Sequence, residues 1–181
     1  MSPSDEELVA RVVALADAAA FEALVHRHQA KVRGYLRHLT RDDARADDLA
    51  QDTFLRAWER MSTFDARGRF GAWLMKIAHN AFRMAYRKDA RDERLSRAVD
   101  AEVVTLPRTG RVDSQRILAE LPEDVRTAMV LCFVYGLSHR EASEVMDVPL
   151  GTVKSHITRG RARIQERYDD ERPGDRRAST K

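Results

Sequence analysis

A chain of 181 residues can form one ordinary domain or two small ones. Its net charge of +3 is the balance of 32 Lys+Arg against 29 Asp+Glu, so the placement of charge says more than its sum. The opening MSPSDEELVARVV carries acids where a secretory leader needs bases and a long apolar run, and no window approaches a membrane-spanning stretch. The expectation is a soluble cytoplasmic protein without membrane insertion. The single cysteine, Cys132, excludes an intramolecular disulfide, and within Met129–Val134 it reads as a small core residue.

Taken in chain order, the elements are helical. Leu8, Val12 and Leu15, then Phe21, Leu24, Val25, His28, Val32, Tyr35, Leu36 and Leu39, recur at three and four, which predicts an apolar helical stripe. A second helix is predicted from about Ala44 with Leu49, Phe54, Leu55 and Trp58, where Phe54 and Trp58 read mainly as core. After a loop at Ser62 to Gly71, a third runs from Ala72 to about Arg91 through Trp73, Leu74, Ile77, Phe82 and Tyr86. These helices can close one core.

The pattern fails between about Glu93 and Arg111, where Thr105 to Gly110 breaks any helix. It returns at Val112, Ile117, Leu118 and Leu121, continues through Val125, Met129 and Phe133, and stops at Gly136 with ordinary helix-end chemistry. Ser138-His139-Arg140-Glu141 matches a capping box, opening a short helix to about Met146. After Asp147-Val148-Pro149 a last helix begins, which is the spacing of a helix-turn-helix. Asp147 holds the tight position where glycine is common, and Asp tolerates a left-handed backbone better than most residues. The prediction is an all-α chain of two small helical domains joined by a flexible linker: residues 5–92, linker 93–111, a helix-turn-helix domain 112–170 and a polar tail 171–181.

The last helix, GTVKSHITRGRARIQERY, carries five bases against one acid. On a lone helix that density is most often only a solvated face. Here Val153, Ile157 and Ile164 supply a stripe that would lock the helix to a partner, and Gly160 and Ala162 keep it slim. Its other face would suit a major groove. The residues from LPEDVRTAM to RARIQE resemble region 4 of an extracytoplasmic-function (ECF) RNA polymerase sigma factor of the sigma-70 family, whose hallmark is a GTVKSR-type helix start followed by R-A-R. The chain departs from that hallmark with His156 for Arg, Gly160 for Ala, and Ser143 where Ala is preferred. Region 4 alone leaves a second reading open, a stand-alone regulator of the LuxR type.

The N-terminal half adds two segments. Asp47-Asp48-Leu49-Ala50-Gln51-Asp52-Thr53-Phe54-Leu55-Arg56-Ala57-Trp58 is similar to region 2.2, and between Asp42 and Glu59 six acids stand against two bases, which suits no DNA surface. Phe64 to Asn80 is similar to regions 2.3 and 2.4, with the spacing F-[DR]-x-x-x-x-F-x-x-W-L-x-x-I-A-x-N. The resemblance spans about residues 5 to 168 and implies specific roles. Asp47, Asp48, Leu49, Gln51, Asp52 and Leu55 would dock on the clamp helices of the core RNA polymerase β′ subunit. Phe64, Arg67, Arg69, Phe70, Lys76, Asn80, Arg83, Arg87 and Lys88 would hold the melted minus-ten strand, by cationic contact and by a ring or pocket for an extruded base. Asn80 is the favoured base contact, with a satisfied buried amide as the alternative. Thr152, Lys154, Ser155, His156, Thr158, Arg159 and Arg163 would read the promoter's minus-thirty-five element, with region 4 also touching the β flap. The family's common regulator is an anti-sigma factor.

No enzyme site competes. His26 and His28 lie two apart and point to different helix faces, His38 brings no cysteine, Cys132 lacks a partner in a shared motif, and His79-Asn80 has no second cluster. No catalytic residue, metal, cofactor or small-molecule substrate is expected.

Overall fold

The computed structural model describes residues 3–65, 69–96, 118 and 120–171, and the chain divides into an N-terminal and a C-terminal compact unit. Every regular element among the described residues is helical.

In the first unit, α1 (Asp5–Leu15), α2 (Ala18–Thr40), α3 (Asp43–Glu59) and α4 (Phe70–Ser96) pack together, with a 3-10 turn at Met61–Thr63. The single stripe predicted from Leu8 to Leu39 is two helices. Ala16 takes a left-handed conformation (φ 49°) that closes α1, and the Asp17 carboxylate accepts from the Ala20 N–H at 3.0 Å to open α2. Arg11 fixes that carboxylate from the preceding helix at 2.6 Å. Leu15, predicted in the stripe, is left 75 % exposed by this break.

Leu24, Val32, Tyr35 and Leu36 on α2 are fully buried, each stabilising the unit by about 1.5–3 kcal/mol. α2 packs on α3 and α4, whose buried residues include Leu49 and Leu74 and the small Ala46, Ala50, Ala57, Ala78 and Ala81, which allow close helix approach. The buried Tyr35 and Thr53 hydroxyls are paired, as burial demands. The Tyr35 hydroxyl bonds His79 Nδ1 at 2.9 Å, and Thr53 donates to the Leu49 carbonyl at 2.7 Å. Asp5 ties α1 to α2 by bonds to Arg27 (2.5 Å) and His28 (2.8 Å). Partial burial would raise its pKa, but the hydrogen bonds to Arg27 and His28 hold its carboxyl below the usual carboxylate range.

α4 runs to Ser96, three residues past the predicted boundary at residue 93; residues 97–111 of the predicted linker and the tail from residue 172 lie outside the described residues. In the second unit, α5 (Glu123–Met129) widens into a π turn at Val130–Val134, where the Tyr135 N–H reaches back to the Val130 carbonyl at 3.2 Å. Gly136 then turns the chain at φ 67°, a conformation that costs glycine nothing. The capping box forms as spelled in the sequence: Ser138 Oγ accepts from the Glu141 N–H at 3.2 Å, and Glu141 Oε2 accepts from the Ser138 N–H at 2.8 Å. It opens α6 (His139–Met146), Asp147 makes the left-handed turn at φ 55°, and α7 (Leu150–Glu171) follows. Val153, Ile157 and Gly160 of α7 are buried, and α7 packs along α5.

Candidate nucleic-acid and partner interfaces

On α3 the acids divide by what already holds them. Asp43 pairs with Arg37 at 3.0 Å and Asp52 with Arg56 at 2.8 Å. Asp47 Oδ1 lies 3.4 Å from Arg33 and 3.9 Å from Arg37, at ion-pair distance without a hydrogen bond. Asp48 is exposed and has no ion pair among the described residues. It sits beside Gln51, also exposed, and Leu55, which is 65 % exposed. Asp48, Gln51 and Leu55 follow a spacing of three and four, so they share one outer strip of α3. Leu49, assigned to the same interface, is instead core at 8 % exposure, because its position on α3 faces α2 and α4. Trp58 moves the other way: expected in the core, it is 39 % exposed, with its ring edge-on to Phe21 at 5.0 Å.

On α4, Lys76, Asn80, Arg83 and Arg87 are spaced four, three and four, a single stripe about 16 Å long at 1.5 Å per residue. Lys76, Asn80 and Arg87 are exposed and Arg83 is half-buried, while Lys88 lies exposed on a flank. Asn80 is therefore not a buried amide. Of the two candidate rings, Phe64 is half-buried and Phe70 only 5 % exposed. Phe70 is enclosed by His28 (5.2 Å between centroids), Phe64 (5.8 Å) and Trp73 (5.7 Å), so it is a buried member of a ring cluster and no free platform. Arg69 is exposed next to it; Arg67 lies outside the described residues.

On α7, Lys154, Ser155, Thr158, Arg159 and Arg163 are exposed and Thr152 is half-buried. The Thr158 hydroxyl donates to the Lys154 carbonyl at 3.0 Å, leaving its oxygen lone pairs outward. His156, assigned to the same face, is 8 % exposed. At 100° per residue it falls on the border between the buried stripe and the outer face, and its side chain turns inward. Burial and the charge of Arg159 push the His156 imidazole below its usual range, against a weaker opposing pull from Asp124.

Gly160 explains itself by packing: a Cβ there would sit 2.7 Å from Met129 Cγ and 2.8 Å from its Sδ. Two features carried no signal in helical periodicity. The π turn brings Phe133 to the surface at 52 % exposure, and the Arg161 guanidinium lies 5.0 Å over its ring. Cys132 is half-buried, its thiol pushed up by burial and by Glu141.

Two of the other histidines have structural employment: His28 is bonded to Asp5 and His79 to Tyr35. Among the described residues no group of three metal-ligating side chains forms, and no helix is long and apolar enough to cross a membrane.

Comparison with known proteins defines the class first. Residues 24–92 match the family model of sigma-70 region 2, and residues 113–164 match that of sigma-70 region 4. The chain is 34 % identical to the ECF RNA polymerase sigma-E factor of Haemophilus influenzae, over 91 % of this chain and 95 % of that one. It is 30 % identical to the ECF sigma factor SigW of Bacillus subtilis, over 85 % and 91 %. Among solved structures it is similar to the sigma factor RpoE of Bartonella quintana in complex with the anti-sigma factor NepR, at 30 % identity and a TM-score of 0.71, over 81 % and 94 % of the two chains. It is also similar to CnrH in complex with the cytosolic domain of CnrY, at 30 % identity and a TM-score of 0.69, over 92 % and 98 %. The chain belongs to the ECF RNA polymerase sigma factors, alternative sigma factors of transcription initiation. The upstream match to region 2 disfavours the LuxR-type alternative, which the helix-turn-helix alone left open.

Proposed function

We propose that this sigma factor works as a two-part adaptor in which each unit carries a separate contact. The exposed strip Asp48, Gln51 and Leu55 on α3 docks on the β′ clamp helices of core RNA polymerase. Its uncommitted carboxylate steers a basic partner and its apolar side chain supplies buried area. The α4 stripe of Lys76, Asn80, Arg83 and Arg87, with Lys88, Arg69 and the half-buried ring of Phe64 beside it, takes the displaced minus-ten strand. Cations neutralise the backbone while Asn80 meets an extruded base. On α7, Thr152, Lys154, Ser155, Thr158, Arg159 and Arg163 face the minus-thirty-five element, and the same unit touches the β flap.

The observation that carries this reading is the separation of charge within one unit: an exposed carboxylate at Asp48, unpaired among the described residues, beside the exposed Leu55 on α3, and a basic-polar stripe on α4. One surface serves a basic protein and the other a polyanion. The named complexes of RpoE with NepR and CnrH with CnrY favour an anti-sigma factor as a further partner. The protein acts in the cytoplasm.

Polymerase dependence is the test. The purified chain alone should bind promoter duplex weakly, with affinity falling steeply as salt rises, because each neutralised phosphate releases counterions. Added core polymerase should give specific initiation from promoters selected out of a random library. Tight duplex binding without polymerase, and no initiation with it, would reject the proposal.

A further inference from the structure

His156 touches Arg159 in a way that its assignment as a direct DNA contact does not use. Arg159 Nη2 lies 2.9 Å from His156 Nδ1, and Arg159 Nε lies 3.5 Å from the Ser155 carbonyl. A guanidinium has five N–H donors and no acceptor, so His156 Nδ1 must accept. The imidazole is then neutral with its proton on Nε2. Burial and the neighbouring Arg159 charge favour that form, outweighing Asp124 on α5.

The consequence concerns geometry more than charge. Arg159 is exposed on the outer face of α7, where an unconstrained arginine samples many rotamers. With Nε and one Nη2 hydrogen engaged along the helix, three N–H groups remain directed outward in a fixed plane. A fixed fork of this kind is what bidentate recognition of a guanine edge requires. His156 is itself held: it is 8 % exposed on the border of the stripe that packs α7 along α5.

We propose that His156 is a positioning residue that orients the Arg159 guanidinium for base readout, and makes no DNA contact itself. This rests on the reading of α7 as the minus-thirty-five helix. It also gives the His156 departure from the usual arginine a purpose: the position trades a second cation for an acceptor that aims the first.

The full chain with core polymerase is used to select initiating promoters from a library randomised across the minus-thirty-five element. Arg159→Ala should flatten the preference at one or two base positions by about fivefold or more, the lower end of what a fixed side-chain to base pair contributes. His156→Leu, which keeps volume and removes the acceptor, should flatten the same positions. His156→Asn, whose Oδ1 can stand in for Nδ1, should restore the preference, and His156→Leu/Arg159→Ala should be no flatter than Arg159→Ala alone. Thermal unfolding of each variant is followed by circular dichroism. If Arg159→Ala flattens the preference and His156→Leu does not, or does so at other positions, the proposal fails while the promoter-helix reading stands. If His156→Asn does not rescue, His156 serves packing alone and the proposal fails. If Arg159→Ala leaves every base preference intact, the underlying reading of that residue fails first.

Discussion

Replacing Gly160 by alanine separates packing from helix propensity in the second unit. Propensity alone predicts stabilisation, since a helical glycine is about 1 kcal/mol worse than alanine. The structure predicts the opposite, because the new methyl would lie 2.7 Å from Met129 Cγ, 2.8 Å from Met129 Sδ and 3.2 Å from Val125 Cγ1. Two of these contacts are closer than side-chain carbons tolerate, and overpacking of this kind costs about 1–3 kcal/mol. Subtracting the propensity gain leaves a net loss of about 1 kcal/mol. With a urea m-value of about 1 kcal/mol/M for a unit this small, the midpoint should fall by about 1 M. Both tryptophans, Trp58 and Trp73, lie in the first unit, so fluorescence reports that unit while far-ultraviolet circular dichroism reports both. Gly160→Ala should lower the dichroism-monitored transition and leave the fluorescence midpoint unchanged. Shortening the clashing side chain in Gly160→Ala/Met129→Ala should give less destabilisation than the sum of the single changes. A neutral or stabilised Gly160→Ala would refute the packing argument.

Three other outcomes follow from the same geometry. Ser138→Ala removes the acceptor that caps α6 and should cost about 1 kcal/mol in the dichroism-monitored transition. Asn80→Ala, at an exposed position, should leave stability within about 0.5 kcal/mol. It should reduce the reactivity of minus-ten thymines to permanganate in the polymerase complex; unchanged reactivity would remove Asn80 from the melted-strand contact. The His156 pKa is lowered from 6.5 on folding, so the unfolded chain binds the proton more readily. The contribution of His156 to stability is then present above pH 6.5 and lost as the pH falls below it. Comparison of wild type with His156→Asn between pH 7.5 and 5 should isolate that loss, and identical pH profiles would contradict it.

Much of the architecture is written in local chemistry. Ser138 and Glu141 spell a cap, Gly136 an ending and Asp147 a left-handed turn, and all three take those conformations because each is decided within a few residues. The break at Ala16 is harder to see, since an alanine in a left-handed conformation has no compositional mark; Asp17 before an alanine run was the available signal. The π turn after Met129 shifts the register, which is why Phe133 reaches the surface despite fitting the apolar stripe. Leu49, Phe70 and His156 show where site residues resist prediction. Each belongs to a motif, yet whether its side chain faces in or out depends on the neighbouring helix, which periodicity on one segment does not contain. Their spacing still carried information: His156 and Arg159 stand three apart, the separation at which helical side chains meet.

If polymerase docking and promoter reading occupy different helices of this sigma factor, Asp48→Ala should separate the two. Asp48 has no internal partner among the described residues, so its removal should leave the fold intact. In run-off transcription on a library-selected promoter, Asp48→Ala should lose activity at limiting core polymerase and recover it as polymerase is raised, with the minus-ten and minus-thirty-five preferences unchanged. A changed promoter preference, or full activity at limiting polymerase, would contradict the account.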